Sequence, residues 1–268
     1  MDKYEEAAKI LADSGNVVAF TGAGISAESG IPTFRDPGGI WDQFDPVEVG
    51  TAQGIVNLAQ KKPDVIRNFL LNTVDIFEKS KTNAAHVALA ELEEMGLLKS
   101  VITQNIDNLH SDAGSLTVFE VHGNLFRARC TRCGRRYMMN KPEFLKKARD
   151  TLSSEEGFSL EKVISIMPSC ECGGMTRPDV VMFGEAVQQI NQSFRAAASS
   201  DVMLVLGTSG VVYPAAAVPQ QAHEAGAKVI EINPTENSYE RITDVYINEP
   251  SAVAMPKVME HVRKLLSH

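Results

Sequence analysis

The chain has 268 residues and a net charge of −8, with a pI near 5.3. That length allows one large domain carrying a small inserted module. The acidic balance argues against a chain that holds DNA or RNA through phosphate contacts, and favours a basic partner. No apolar stretch approaches the roughly 20 residues of a membrane span. The opening MDKYEEAAKILADSG is an acidic amphipathic pattern rather than a secretion signal, so a cytoplasmic protein without membrane attachment is expected.

In chain order, a helical pattern over residues 2–14 leads into an apolar strand at Val17–Thr21. Helical patterns follow at 62–80 and 84–96, then strands at Ser100–Thr103, Val118–Val121 and Val180–Phe183. The last third alternates: helix 188–199, strand Val202–Leu206, helix 215–225, strands Val229–Ile232 and Val245–Ile247, and helix 251–266. Several strands are continuous apolar runs, as expected where helices cover both faces of a parallel sheet. The alternation predicts an α/β fold with a doubly wound, Rossmann-like parallel sheet built from residues 1–35, 83–124 and 179–268. Two stretches interrupt it: 36–82, with the only tryptophan, Trp41, and 125–178, with all four cysteines. Both read as insertions, one helical and one zinc-binding, forming a second, smaller lobe. Ligands of open α/β sheets bind beyond the carboxyl ends of the strands. The segments TGAG, TQNID, VHG, GTS and INP should therefore meet at one crevice facing that lobe.

The most informative segment is Gly22–Arg35, GAGISAESGIPTFR, directly after the first strand. Gly22, Ala23 and Gly24, with Ala27 in the third place, fit a dinucleotide fingerprint in which backbone N–H groups and a helix N-terminus face a pyrophosphate. An ordinary strand-to-helix turn would also use two glycines. Gly30-Ile31-Pro32 should stop the helix and turn the chain back over the ligand with Phe34 and Arg35.

Cys130-Thr-Arg-Cys133 and Cys170-Glu-Cys172 are two close pairs, a pattern that favours tetrahedral zinc, with redox dithiols and unrelated free thiols as alternatives. Four thiolates leave no coordination position for water, so such a metal is structural. Arg127, Arg129, Arg132, Arg135 and Arg136 around the first pair read as a solvated face. His122, between Val121 and Gly123, offers an imidazole suited to general-base work, although a lone histidine is more often structural than catalytic. Of the other histidines only His110 lies inside a motif. Gln104-Asn105-Ile106-Asp107 ends another strand, where an amide and a carboxylate can enter one pocket or cap a helix. Gly207-Thr208-Ser209 and Asn233 end two more and suit ribose and phosphate contacts, as they also suit plain turns.

Taken in order, Gly22–Arg35, TQNIDNLHSDAG (Thr103–Gly114), VHG (Val121–Gly123), the cysteine module, RPDVVMFGE (Arg177–Glu185), GTSGVVYPAA (Gly207–Ala216) and INP (Ile232–Pro234) resemble the sirtuins, NAD-dependent protein-lysine deacylases. The resemblance implies NAD as cofactor and acylated-lysine proteins as substrates. It places Ile31, Phe34, Gln104, Asn105, Ile106 and Asp107 around the nicotinamide, and Arg35 near ribose and phosphate. Gly22, Ala23, Gly24, Gly207, Thr208, Ser209, Asn233 and Ser251 would hold the rest of NAD, Ser251 near the adenine. His122, Asn105 and Asp107 are the implied catalytic residues. In the implied mechanism the acetyl-lysine oxygen displaces nicotinamide, and His122 then deprotonates the ribose hydroxyl that captures the acyl group. Products are deacetylated lysine, nicotinamide and O-acetyl-ADP-ribose.

The substrate would add as a strand between Val181-Met182-Phe183-Gly184-Glu185 and Gly210-Val211-Val212-Tyr213. The second cysteine pair is one residue shorter than the family's C-x-x-C, which implies a distorted knuckle. Members that remove acidic acyl groups carry a Tyr and an Arg where this chain has Leu70 and Thr73, so acetyl and other apolar groups are expected. The rival readings are protein ADP-ribosyl transfer, a silent NAD-sensing module and a dehydrogenase. The last fits least, because no acidic residue ends a second strand about 20 residues after the glycines.

Overall fold

Val17–Thr21 and Val202–Leu206 are buried at every position. A strand can lose both faces to the interior only at the middle of a covered sheet, and these two pair with each other there. The computed structural model describes residues 2–33, 39, 42, 44–154, 158–235 and 238–267, so Phe34, Arg35 and Trp41 lie outside the described residues. Among these, the strands are β1 (Val17–Thr21), β2 (Leu98–Thr103), β3 (Val118–Glu120), β4 (Gly123–Cys130), β5 (Arg136–Met138), β6 (Thr176–Val180), β7 (Val202–Leu206), β8 (Lys228–Ile232) and β9 (Val245–Ile247). The helices are α1 (Lys3–Ala12), α2 (Pro46–Gly50), α3 (Ala52–Lys61), α4 (Pro63–Lys79), α5 (Ala84–Glu94), α6 (Leu109–Asp112), α7 (Lys141–Leu152), α8 (Leu160–Ser165), α9 (Ile190–Ala198), α10 (Val218–Glu224) and α11 (Ser251–Leu266).

The large sheet has the order β3-β2-β1-β7-β8-β9 and is parallel throughout. The order reverses between β1 and β7, which is where a doubly wound sheet opens its crevice. On one face Leu11, Leu89, Leu92, Val258 and Val262 pack α1, α5 and α11 against Val17, Val101 and Leu204. On the other, Ala197, Val218 and Tyr239 cover Val18, Phe20, Met203 and Val205. A separate antiparallel sheet, β5-β4-β6, begins directly after His122. Its apolar side meets α4 and α7 through Phe126, whose ring stands edge-on to Phe77 at 5.6 Å and to Phe144 at 6.3 Å. Val49, Leu58 and Ile66 knit α2, α3 and α4 beside it.

Two expectations change. The strand expected at Val180–Phe183 is Thr176–Val180, and it belongs to the small sheet rather than the large one. TRPDV does not look like a strand because Pro178 cannot donate to a ladder, but β6 is an edge strand, where proline is tolerated. The arginines around the first cysteine pair are not a free solvated face. The Asp179 carboxylate is fully buried and accepts Arg127 Nε and Arg136 Nε, each at 2.8 Å, and Gln188 Nε2 at 2.8 Å, with Arg129 Nε at 3.4 Å. Arg127 also reaches Glu120, Arg135 pairs with Glu171, and Arg132 donates to the Cys172 carbonyl.

Burial by itself would raise Asp179, but the hydrogen bonds from Arg136, Arg127 and Gln188 outweigh it and hold the carboxyl below its ordinary value. Its stabilisation is therefore present above the unfolded-state pKa and is lost as pH falls through the depressed folded value. Asp179→Ala would leave three guanidinium groups without their shared counter-charge. The expected loss is about 3 to 5 kcal/mol, read by urea unfolding at pH 7; a variant within about 0.5 kcal/mol of wild type would show that the cluster does not hold the small sheet.

Candidate active site

The turns that leave β1 and β7 press backbone against backbone. Gly22 N–H donates to Leu206 O at 3.1 Å and Gly24 N–H to Gly207 O at 2.8 Å. A Cβ on Gly24 would stand 2.7 Å from Gly207 Cα, and one on Gly22 would stand 2.7 Å from Thr208 Cβ. Gly207 has φ +57°, and its Cβ would fall 2.2 Å from Ile25 N. The glycines are thus required first for this contact, and the Gly22 and Gly24 N–H groups are spent inside the protein. After Gly22 the chain forms a 3₁₀ turn, Ala23–Ser29, rather than an α-helix, and Gly30 ends it at φ +84°.

Around that contact the strand ends interlock. Gln104 Nε2 donates to Thr208 Oγ1 at 2.9 Å, and Asn233 Nδ2 to Thr208 O at 3.1 Å. Ser209 O accepts Ser238 Oγ at 3.3 Å. Ser251 opens α11, and its buried Oγ has no hydrogen-bond partner among the described residues. A cradle closed to any Cβ, a hydroxyl and an amide at the strand ends, and one orphaned buried hydroxyl are features that fit a dinucleotide.

Asn105 Nδ2 donates to Gly22 O at 3.0 Å and to Ser26 Oγ at 3.1 Å. Ser26 Oγ in turn donates to Asp107 Oδ2 at 2.7 Å, while Leu109 N–H donates to Asp107 Oδ1 at 2.9 Å. Asp107 therefore spends one oxygen on the local turn and the other on Ser26. Burial pushes its carboxyl above the usual range, against the hydrogen bonds from Leu109 and Ser26. Behind Ser26 lies His86, whose Nδ1 accepts Asn83 N–H at 3.3 Å and whose ring stands 4.9 Å from that of His110. His110 Nε2 meets Thr21 Oγ1 at 2.9 Å. Burial pushes His86 down to about 4, and burial together with His86 holds His110 well below its usual value. Both rings are neutral at pH 7.

His122 sits where the two sheets meet. Its Nδ1 lies 3.0 Å from Gln104 O. A carbonyl only accepts, so Nδ1 carries the proton and Nε2 is the basic nitrogen. Burial lowers its pKa, although the Gln104 hydrogen bond works in the other direction. His122 O accepts Val181 N–H at 2.8 Å, and Phe183 N–H goes to Gly50 O at 2.9 Å. Neither 181–185 nor 210–213 is a strand, and Phe183, Val211 and Tyr213 are exposed.

Ile31 and Leu70 pack on the small lobe's apolar cluster. Thr73 spends its hydroxyl on Phe69 O, and Arg67 Nε donates to Leu152 O. Ser26, His86 and Thr21 were not singled out by the sequence reading. A signal for His86 exists, since Asn83 and His86 form the capping box of α5, which turns His86 inward.

The four cysteine Sγ atoms lie within 4.8 Å of one another. Gly134 N–H returns to Cys130 O and Gly173 N–H to Cys170 O, closing a knuckle on each side. The short second pair is accommodated by Gly174, where a Cβ would lie 2.8 Å from Cys130 Sγ and 3.1 Å from Cys172 Sγ. Four convergent soft donors fit a closed, structural zinc site.

A parallel sheet with a glycine cradle at its point of reversal, joined to a four-cysteine lobe, defines a nucleotide-binding α/β protein. The chain belongs to the Sir2 family, which it matches over residues 22–214. It is 48% identical to the NAD-dependent protein deacylase of Desulfosudis oleivorans, over 98% of this chain and 96% of that protein. A Sir2 homologue solved as an NAD complex superposes with a TM-score of 0.78 at 37% identity, covering 99% of this chain and 95% of that one. Sir2Af2 bound to a myristoylated histone peptide superposes with a TM-score of 0.74 at 36% identity, covering 99% and 98%.

The purified protein should carry one zinc per chain, and Cys170→Ser should lose it together with the small lobe's cooperative unfolding. Elemental analysis that finds no zinc, or a Cys170→Ser variant with normal metal content and stability, would contradict the site.

Proposed function

We propose that this protein is an NAD-dependent protein-lysine deacylase that removes acetyl and other apolar acyl groups, with His122 as its general base. The observation that carries the assignment of the base is the Gln104 carbonyl on His122 Nδ1, which leaves Nε2 as the basic nitrogen. NAD supplies an activated ribose carbon with nicotinamide as leaving group, so the reaction transfers the acyl group to ADP-ribose and frees the lysine.

Every other part belongs to the chain. His122 takes the ribose hydroxyl proton at Nε2, and the Gln104 carbonyl keeps the tautomer and steadies the imidazolium that forms. Asp107 meets the nicotinamide amide, and Asn105 orients the ribose or a water. Ile31, Phe34, Gln104 and Ile106 complete that end, with Arg35 toward ribose and phosphate. Gly22, Ala23, Gly24, Gly207, Thr208, Ser209 and Asn233 hold the pyrophosphate and adenosine side, and the orphaned Ser251 Oγ supports its place near the adenine.

The acylated-lysine segment lies between Val181–Glu185 and Gly210–Tyr213, a reading supported by the exposed Phe183, Val211 and Tyr213. Residues 1–35, 83–124 and 179–268 form the NAD-binding part, with 36–82 and 125–178 as the helical and zinc-binding insertions. No helix among the described residues is long and apolar enough to cross a membrane; we place the enzyme in the cytoplasm.

His122→Ala should lower deacylation by about 10²- to 10⁴-fold with NAD affinity little changed. Because burial lowers the His122 pKa and the neutral ring is the active form, the acid limb of wild-type kcat/KM should fall below 6.5, the ordinary value for histidine. Near wild-type turnover in the variant, or an acid limb above that value, would remove His122 from the mechanism. The acyl pocket gives a second test. With Leu70 and Thr73 offering no cation and Arg67 engaged by Leu152, burying a succinyl carboxylate costs several kcal/mol. Matched peptides should show acetyl or butyryl turnover exceeding succinyl by orders of magnitude in kcat/KM, and equal rates would show that a cation reaches the pocket.

A further inference from the structure

Asn124 is the second residue of β4, immediately after His122-Gly123, and is 1% exposed. Its amide is fully used. Nδ2 donates to Asn108 Oδ1 at 2.8 Å and to Glu120 Oε1 at 2.5 Å, while Oδ1 accepts Phe126 N–H at 2.8 Å. Asn108 directly follows Asp107 and has φ +67°, a left-handed turn that lets Leu109 N–H reach back to Asp107 Oδ1. Asn108 is braced again by its own Nδ2 on Asp112 Oδ1 at 2.6 Å. Beside this, Leu125 N–H donates to Ile106 O at 2.9 Å. The start of β4 thus grips the loop that carries Asn105 and Asp107 by side chain and by main chain. On its other side β4 continues from the His122 turn, where Gly123, at φ +84°, packs so tightly that a Cβ would lie 1.8 Å from Asp179 O.

We infer that Asn124 is a positioning residue for the deacylation reaction, cross-bracing the Asp107 loop to the His122 turn so that carboxyl and base keep one relative placement. The inference rests on the function proposed above. No other side chain of this size offers two N–H donors and one acceptor. Aspartate would lose both donors and set its charge against Glu120, and leucine would strand the Asn108 and Glu120 oxygens and the Phe126 N–H. The Asp107 end of the site faces NAD and its nicotinamide, whereas the acyl peptide lies against 181–185 and 210–213. Loss of the brace should therefore fall on NAD and nicotinamide rather than on the peptide.

The test is a double-variant cycle of Asn124→Ala and Asn108→Gly, the latter keeping the positive φ while removing the acceptor. Thermal unfolding and zinc content confirm folded protein, and Asn108→Gly carries the test by itself if Asn124→Ala does not fold. Each variant should raise KM for NAD, and the nicotinamide concentration needed for inhibition, on the order of tenfold to a hundredfold, with peptide KM unchanged. The double variant should be no worse than the more impaired single, because the Asn124–Asn108 bond is lost in both. Unchanged KM for NAD in folded variants, or single effects that multiply, would overturn the brace while leaving the enzyme's function standing. Wild-type protein that consumes no NAD with an acetyl-lysine peptide would overturn the function itself.

Discussion

The crevice depends on how closely the turn after β1 can approach the turn after β7. With Gly24 N–H on Gly207 O, two strand ends that lie side by side in the sheet stay side by side beyond it. Everything else is hung from that contact: Gly22 O receives Asn105, Thr208 receives Gln104 and Asn233, and Gln104 O receives His122. A methyl group at Gly24 or Gly207 would meet backbone, which cannot move aside as a flexible side chain can. The glycine fingerprint therefore sets the position of His122 as well as the shape of the crevice.

A second constraint is dryness. Thr21, Ser26, His86, Asn105, Asp107 and His110 are all buried and bond chiefly to one another, so their protonation is set by the interior rather than by bulk water. Burial depresses all three histidines and raises Asp107. Ser26, a hydroxyl able to donate to Asp107 while accepting from Asn105, lies at the centre of this network.

The parts legible in the sequence are those whose cause is local. Continuous apolar runs announced β1 and β7, glycine and proline announced the end of the turn at Gly30, and cysteine spacing announced the sulfur cluster before any fold was known. What the sequence concealed depends on distance. Ser26 meets His86 and Asp107 across 60 and 81 residues, and no pattern within a window reports that. β6 was hidden because Pro178 makes TRPDV look unlike a strand, when its position at a sheet edge removes the objection. Nothing local to VHG marks Asn124, whose amide meets the left-handed turn at Asn108 across 16 residues. Arg127, Arg129 and Arg136 looked solvated because their shared partner, Asp179, lies far along the chain.

The central claim is that the residues gathered at this crevice move an acyl group from lysine to ADP-ribose. Mass spectrometry of all products after incubation of the protein with NAD and an acetyl-lysine peptide tests it most directly. The account predicts deacetylated peptide, nicotinamide and O-acetyl-ADP-ribose in equal amounts. ADP-ribose attached to the peptide, or peptide and NAD recovered intact, would contradict it.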